Sequence, residues 1–173
     1  MKLAGPGFAE TVRLRQSVRR FASRPVEREK LERIKEVGRL AASADNRQPW
    51  RFFLLHREGR EKFDALLREN FRGAPVVSVA CAAPAAAWSR RFDGRNFAWV
   101  DVSIAVTEMI LAATAEGLGT CWVASIDPAA VRTFLGLGEE WEPVTAVALG
   151  YPEEPLEVKT RNRKPASEVW EER

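Results

Sequence analysis

The stretch NFAWVDVSIAVTEMILAATAE, residues 96–116, is the strongest secondary-structure signal in the chain. Its main apolar stripe consists of Val102, Ala105, Val106, Met109, Ile110 and Ala113. Ile104 and Leu111 add apolar surface opposite, so the segment predicts a helix that is apolar nearly all round. Such a helix is normally central in its protein or buried at a subunit interface. Gly117-Leu118-Gly119 ends it, and residues 120–124 predict a short strand.

Shorter periodic segments surround this helix and define the rest of the fold. Further helices are predicted over residues 8–15, 27–42 and 58–69, and after Asp127, with Pro128 at the first helical position. Strands are predicted over residues 50–56, 75–83 and 144–149. Residues 84–95 predict irregular structure, and the tail 151–173 has too few apolar residues for a core of its own. The order of elements predicts a layered sandwich of helices and strands, in which helices dominate.

Composition narrows the class of protein. The 173 residues are 46% hydrophobic and 29% charged, which is typical of one folded domain with a real core. The first residues lack the apolar core of a signal peptide, and the longest uncharged run, residues 73–89, is too short to span a bilayer. Cys81 and Cys121 lie in separate apolar segments, which favours buried thiols in a reducing compartment. We therefore expect a soluble cytoplasmic protein without a membrane partner.

Polar segments outside the helices predict a ligand site. Residues 43–50, SADNRQPW, place small and amide side chains directly before a strand. Residues 11–26 hold five arginines and no acid, and the tail carries a second basic group over residues 159–164. Runs of charge usually lie on a solvated surface. Two separate basic segments that can converge on one anion instead favour a terminal phosphate, carried by a ligand with an aromatic body.

Several common motifs do not fit this sequence. Gly117-Leu118-Gly119 lacks the third glycine of a dinucleotide fingerprint and follows a helix, whereas that fingerprint follows a strand. His56 is the only histidine, which argues against a histidine-based catalytic triad and against a metal site with several histidine ligands. We expect no metal site.

Five segments together resemble the nitroreductase family of FMN-dependent oxidoreductases, in that family's order and at its usual separations. They are RQSVRRF (15–21), SADNRQPW (43–50), GLGTCW (117–122), ALGYP (148–152) and RNRKP (161–165). The resemblance implies an α+β three-layer sandwich, with a mixed central sheet flanked by helices and the long central helix at a dimer interface. It implies one domain over residues 1–173, with the tail from about residue 151 extended over the partner subunit. It also implies a homodimer that holds two FMN molecules between its subunits.

The resemblance assigns cofactor roles to individual residues. Positions that hold the FMN phosphate and ribityl chain match Arg15, Gln16, Ser17, Arg19, Arg161 and Arg163. The loop that borders the flavin from the partner subunit matches Ser43, Ala44 and Asn46. The strand whose backbone amides contact the flavin near N5 matches Trp122, Val123 and Ala124. Asp101 falls near a polar position on the central helix, and Asn70 near an amide that meets the pyrimidine ring.

Two departures from the family pattern limit what the resemblance carries. Ala42 stands where the family often has proline, and residues 84–95 replace a longer helical excursion that covers the flavin in larger members. Substrate identity therefore does not transfer, and Trp88 or Phe92 is a candidate to close the pocket.

The expected activity is hydride transfer from NADH or NADPH to a flat electron-poor acceptor, such as a nitroaromatic or a quinone, with ping-pong kinetics. The flavin carries the chemistry, so no catalytic side chain is predicted. One alternative is a specialised family member that acts on a single metabolite. Another is a flavin-binding carrier or sensor without nicotinamide turnover. A third, less favoured, is a nucleic-acid-binding protein that uses residues 13–24, so we expect no nucleic-acid partner.

Overall fold

The computed structural model describes residues 5–56, 58–64, 66 and 73–173. Its helices are α1 (Phe8–Leu14), α2 (Arg28–Leu40), α3 (Glu58–Asp64), α4 (Ala98–Ala115) and α5 (Pro128–Leu135). Its strands are β1 (Trp50–His56), β2 (Val76–Ala82), β3 (Gly119–Val123) and β4 (Glu142–Gly150). Single 3-10 turns cover Ala44–Asn46, Pro84–Ala86 and Ala166–Glu168. These elements confirm the predicted order, with ends that differ by at most two residues. The predicted end of the third helix, at Glu69, lies outside the described residues.

The four strands form one sheet in the order β1-β2-β4-β3. Every neighbouring pair is antiparallel. The sequence predicts a mixed sheet, with parallel as well as antiparallel pairs. Within the described residues, the one parallel contact is a bridge between Ser17 and Thr120, beside β3. Every residue of the central strand β2 is buried, as its continuous apolar run predicts.

Helices cover both faces of the sheet. On one face Phe63 of α3 and Val131 of α5 pack with Val77, Val79 and Cys81 of β2. On the other face Val102, Val106 and Ile110 of α4 pack with Ala80 and Ala82 of β2 and with Val144 and Val147 of β4. Helix α2 lies beside α4, where Ile34 joins Met109 and Ala112 in a third cluster. The result is the expected α+β three-layer sandwich.

Helix α4 has two different sides. Val102 and Ala105 are fully buried, whereas Trp99, Val100 and Ile104 are 37–50% exposed. By length and composition alone α4 could cross a membrane, but 56% of it is buried inside the fold, as expected of a central helix. Its 18 residues make it about 27 Å long, so it separates features at its two ends.

Cys81 and Cys121 are both buried, as the sequence predicts. Burial raises the pKa of the Cys81 thiol to about 11, although the charge of Arg51 opposes the shift. A thiol in this environment stays protonated near neutral pH, which fits a packing role.

Candidate cofactor site

The arginine segment after α1 is fixed along the outer edge of β3. Ser17 forms a parallel bridge with Thr120, and the backbone N–H of Val18 donates to the carbonyl of Thr120 at 2.8 Å. Gly119 permits this close approach, since a Cβ at that position would lie 2.7 Å from Cγ2 of Val18. The glycine that the sequence places after α4 thus serves to dock the arginine segment.

Arg15 lies close enough to two arginines of the tail for their positive charges to affect its pKa. Its pKa is lowered first by partial burial and then by the positive charges of Arg161 and Arg163. Within the described part of the chain, none of these three guanidinium groups forms an ion pair with a carboxylate. The two basic segments therefore converge as predicted, and a bound anion would offset their mutual repulsion.

Arg161 makes contacts that the sequence does not reveal. One of its terminal nitrogens lies 3.0 Å from the carbonyl oxygen of Val12 and 2.6 Å from that of Arg13, and it also contacts the carbonyl oxygen of Arg15. The last carbonyls of a helix lack partners within the helix and attract cations. Arg161 therefore ties the tail to the end of α1 and holds the backbone of Arg15.

The remaining basic residues of the segment divide into two groups. Arg20 pairs with Glu153 at 2.8 Å and Arg24 pairs with Glu27 at 2.7 Å. In contrast, Arg19 is exposed and forms no ion pair with a described residue. It lines a cleft of about 180 Å³ between the arginine segment and the tail, together with Ser17, Lys159 and the Arg20–Glu153 pair. Arg19 thus remains with the candidate site, whereas Arg20 and Arg24 are neutralised beside it.

Strand β3 presents backbone donors along the same edge. Antiparallel strands direct the N–H and C=O groups of alternate residues to opposite edges. Because the carbonyl of Thr120 faces Val18 and not β4, the backbone N–H group of Trp122 also faces outward. Ala124 follows directly after the end of β3 and is exposed. The side chain of Trp122 packs against the α4 cluster, and Val123 is buried in the opposite layer. The predicted strand segment therefore offers amides, and not side chains, to a ligand.

The loop of residues 43–48 has an unusual backbone. Asp45, Asn46 and Gln48 have positive φ angles of 55°, 52° and 49°. Ser43 Oγ accepts from the backbone N–H of Gln48 at 2.9 Å, and the Gln48 side chain donates to the Asn46 side-chain oxygen at 3.2 Å. Backbone strain of this kind persists where the surrounding structure holds it, often at functional sites.

Asp101 connects this loop to the first turn of α4. Its Oδ1 accepts a hydrogen bond from the backbone N–H of Ala44 at 2.9 Å. The residue is 1% exposed, so it lies beneath the loop.

The predicted site residues thus form two groups near opposite ends of α4. Ser43, Ala44, Asn46 and Asp101 lie at its first turn. Leu14 lines one groove with Ala115 and Gly117 at the other end, which places the neighbouring Arg15 there. Asp101 and Ala115 are about 21 Å apart along the helix, from 14 residues at 1.5 Å each. Asn70 lies outside the described residues.

Sequence reasoning missed a buried charge at the end of α4. The Glu116 side chain is 1% exposed and pairs with Arg33 of α2 through two hydrogen bonds of 2.7 and 2.8 Å. Lys30 donates to the Glu116 carbonyl at 2.6 Å. The basic residues of α2 look like an ordinary charged face in sequence, since their partner lies more than 80 residues away. This pair fixes α2 against the end of α4, next to the arginine segment.

Comparison with known proteins places this arrangement in a family. The sequence profile described as "Nitroreductase family" matches residues 12–72 and 61–151. A protein of Archaeoglobus fulgidus named "Putative NADH dehydrogenase/NAD(P)H nitroreductase" is 31% identical over 148 residues, which cover 81% of this chain and 82% of that protein. A 5,6-dimethylbenzimidazole synthase of Rhodospirillum rubrum is 29% identical over 170 residues, covering 81% of this chain and 79% of the synthase.

Solved structures agree with the sequence match. A nitroreductase family protein of Clostridium difficile 630 superposes with a TM-score of 0.88 at 32% identity, covering 96% of this chain and 98% of that one. A Desulfovibrio desulfuricans protein described as a "putative nitroreductase in complex with FMN" superposes with a TM-score of 0.82 at 26% identity, covering 98% of each chain. From its profile match and its fold, this chain belongs to the nitroreductase family.

Proposed function

We propose that the protein is an FMN-dependent oxidoreductase that takes hydride from NADH or NADPH and passes electrons to a flat, electron-poor acceptor. The observation that carries the proposal is the convergence of Arg15, Arg161 and Arg163 without a carboxylate partner among the described residues. The family profile and the FMN complex of the D. desulfuricans relative support the choice of ligand. Nitroaromatics and quinones are the acceptor classes that we propose.

The residues at the outer edge of β3 fit a flavin mononucleotide in chemistry and order. Arg15 and Arg163 supply guanidinium donors for a phosphate, and the exposed hydroxyl of Ser17 makes no hydrogen bond with a described residue. Arg161 keeps Arg15 in place through the end of α1. Farther along the same edge, the amide of Trp122 provides a donor for the polar rim of a ring, and the exposed Ala124 just beyond the strand supplies a second.

When bound, FMN supplies the redox chemistry, and the protein supplies binding, orientation and electrostatics. Fixed backbone donors stabilise negative charge at low cost because they need no reorganisation. Trp122 holds these donors in place, since its side chain is packed against α4.

We further propose that the site is completed by a second copy of the chain. The 43–48 loop lies near the opposite end of α4 from the arginine cluster, and the helix rises about 21 Å between Asp101 and Ala115. Under this proposal the loop of the partner subunit borders the ligand held at each arginine cluster. Trp99, Val100 and Ile104 leave an apolar face on α4 for a partner. Val169 and Trp170 leave exposed apolar side chains in the tail, 58% and 78% exposed, which fits a tail that lies over another subunit. Such a homodimer would be cytoplasmic under this proposal.

The name of the R. rubrum relative keeps the specialised alternative open, since it denotes an enzyme with one defined aromatic product. That alternative predicts that NADH or NADPH reduces the bound flavin, but that quinones and nitroaromatics do not reoxidise it. The carrier alternative predicts no reduction by nicotinamide.

Anaerobic spectroscopy tests the proposed function. NADH or NADPH should bleach the bound flavin, because the proposed donor delivers hydride to it, and a quinone or nitroaromatic should restore its colour. Steady-state reciprocal plots at several donor concentrations should be parallel, as expected when donor and acceptor use one face in turn. Free FMN at equal concentration is the control for uncatalysed reduction. A flavoprotein that neither nicotinamide bleaches would contradict the oxidoreductase proposal and support the carrier.

A further inference from the structure

The buried carboxylate of Asp101 is unexplained by the cofactor site described above. Its Oδ1 accepts from the Ala44 backbone N–H at 2.9 Å. Its Oδ2 is buried and makes no hydrogen bond with any described residue. Buried polar atoms are nearly always paired, so an unpaired carboxylate oxygen inside an apolar helix layer calls for a reason other than stability.

The loop above Asp101 has few other connections to the fold. Within residues 43–48 the backbone bonds are local: Asn46 N–H donates to the Ser43 carbonyl at 3.0 Å and Arg47 N–H to the Ala44 carbonyl at 3.2 Å. Two hydrogen bonds join this loop to other elements among the described residues: the Trp50 N–H of the adjoining strand β1 donates to the Gln48 carbonyl at 2.9 Å, and the Ala44 N–H donates to Asp101. The bond to Asp101 is the one that reaches an element distant in sequence. Three of its residues hold positive φ angles without being glycine. A loop with such a backbone needs an outside group to keep its conformation.

We propose that Asp101 is a positioning residue, which holds the 43–48 loop in the conformation that presents Ser43 and Asn46 to the cofactor. This inference rests on the proposed function for the identity of the ligand. The proposed role is indirect, because Oδ1 is bonded to the loop backbone and the residue is 1% exposed. A carboxylate suits the role, since a hydrogen bond to a charged acceptor is stronger than one to a neutral acceptor. This assignment refines the cofactor-binding role that the sequence predicts for Asp101.

The test compares Asp101→Ala and Asp101→Asn with the wild-type protein, using two measurements. Hydrogen exchange at the Ala44 amide measures whether the loop keeps its bond to residue 101, and FMN titration measures the affinity of the cofactor site. Asp101→Ala should abolish the protection at Ala44 and weaken FMN binding at least tenfold. Asp101→Asn keeps an acceptor oxygen in a side chain of the same shape. It should therefore retain part of the protection at Ala44 and part of the FMN affinity.

Asp127→Ala is the matched control. Asp127 also accepts backbone N–H groups at a helix start, from Ala129 at 2.9 Å and Ala130 at 3.2 Å, but it caps α5 and not the loop. Its loss should leave FMN affinity and exchange at Ala44 unchanged.

Wild-type protection at Ala44 together with wild-type FMN affinity in Asp101→Ala would overturn the positioning role. An equal loss of FMN affinity in Asp127→Ala would overturn it too, since the effect would then reflect general stability. If the wild-type protein binds no FMN, the proposed function fails, while exchange at Ala44 still decides the role of Asp101. If Asp101→Ala does not fold, Asp101→Asn decides it by the same exchange measurement.

Discussion

At the scale of single residues, the partners of each arginine decide its role. The sequence of residues 11–26 shows five similar arginines, but Arg20 and Arg24 face Glu153 and Glu27 across exposed ion pairs. Exposed pairs of this kind contribute little to stability. Arg15 instead lies near two other cations, and Arg161 binds helix carbonyls. The same side-chain type therefore serves as a neutralised surface group, a ligand donor and a helix tie.

Alanine substitutions should separate these roles. Arg15→Ala and Arg163→Ala should each weaken FMN binding by about 1.5–3 kcal/mol, the usual worth of a hydrogen bond to a charged group. The melting temperature of the FMN-free protein should change little in both. Arg161→Ala should lower that temperature as well as the affinity, because the carbonyls at the end of α1 lose their donor. Equilibrium titration and thermal unfolding without FMN measure the two effects.

Arg28→Ala is the control for these variants, since Arg28 is exposed on α2 and forms no ion pair with a described residue. If Arg15→Ala and Arg163→Ala bind FMN as tightly as Arg28→Ala does, the basic segments are a solvated surface and the phosphate assignment is wrong.

At the scale of elements, the two sides of α4 have different roles: one side packs in the core of the chain, and the other is exposed and is the proposed subunit interface. Met109 is 8% exposed and packs against α2, where a Cβ on Gly38 would lie 2.6 Å from its sulfur. Ile104 is 37% exposed and lines an open apolar surface with Trp99 and Val100. The helical spacing of the sequence predicts apolar residues on both sides, but it does not say which side the sheet covers.

Glutamate substitutions should therefore have different outcomes at these two positions. Met109→Glu should prevent folding, because it buries an unpaired charge in the core. Ile104→Glu should fold with nearly the wild-type circular dichroism spectrum, yet lose the proposed dimer and with it most of the bound FMN. Light scattering alongside flavin absorbance across a dilution series measures both properties. A folded Ile104→Glu monomer with full FMN occupancy would contradict the shared site.

How far the sequence predicts the structure also depends on the element. Strand β1 has the bounds that its aromatic and aliphatic residues predict, and α5 has the predicted Asp127 cap, because both signals are local. The backbone of the 43–48 loop is not predictable in this way, since its conformation depends on Asp101, 57 positions along the chain. The Glu116–Arg33 pair and the tie made by Arg161 escape sequence reasoning for the same reason.

At the scale of the whole molecule, the fold places a basic cluster and a row of backbone donors along one edge of the sheet. Segments distant in sequence meet there: the residues after α1, strand β3 and the C-terminal tail. The strained loop lies apart, near the first turn of α4. A second copy of the chain would bring such a loop to each basic cluster, which is the arrangement that the proposed FMN site requires.

The measurement that tests the central claim most directly is the affinity of the FMN-free protein for FMN compared with riboflavin. The two share the ring and the ribityl chain and differ in the terminal phosphate. If Arg15 and its neighbours hold that phosphate, FMN should bind at least about 100-fold more tightly, as two or more hydrogen bonds to a charged group imply. Equal affinity for riboflavin and FMN would contradict the assignment of the arginine cluster.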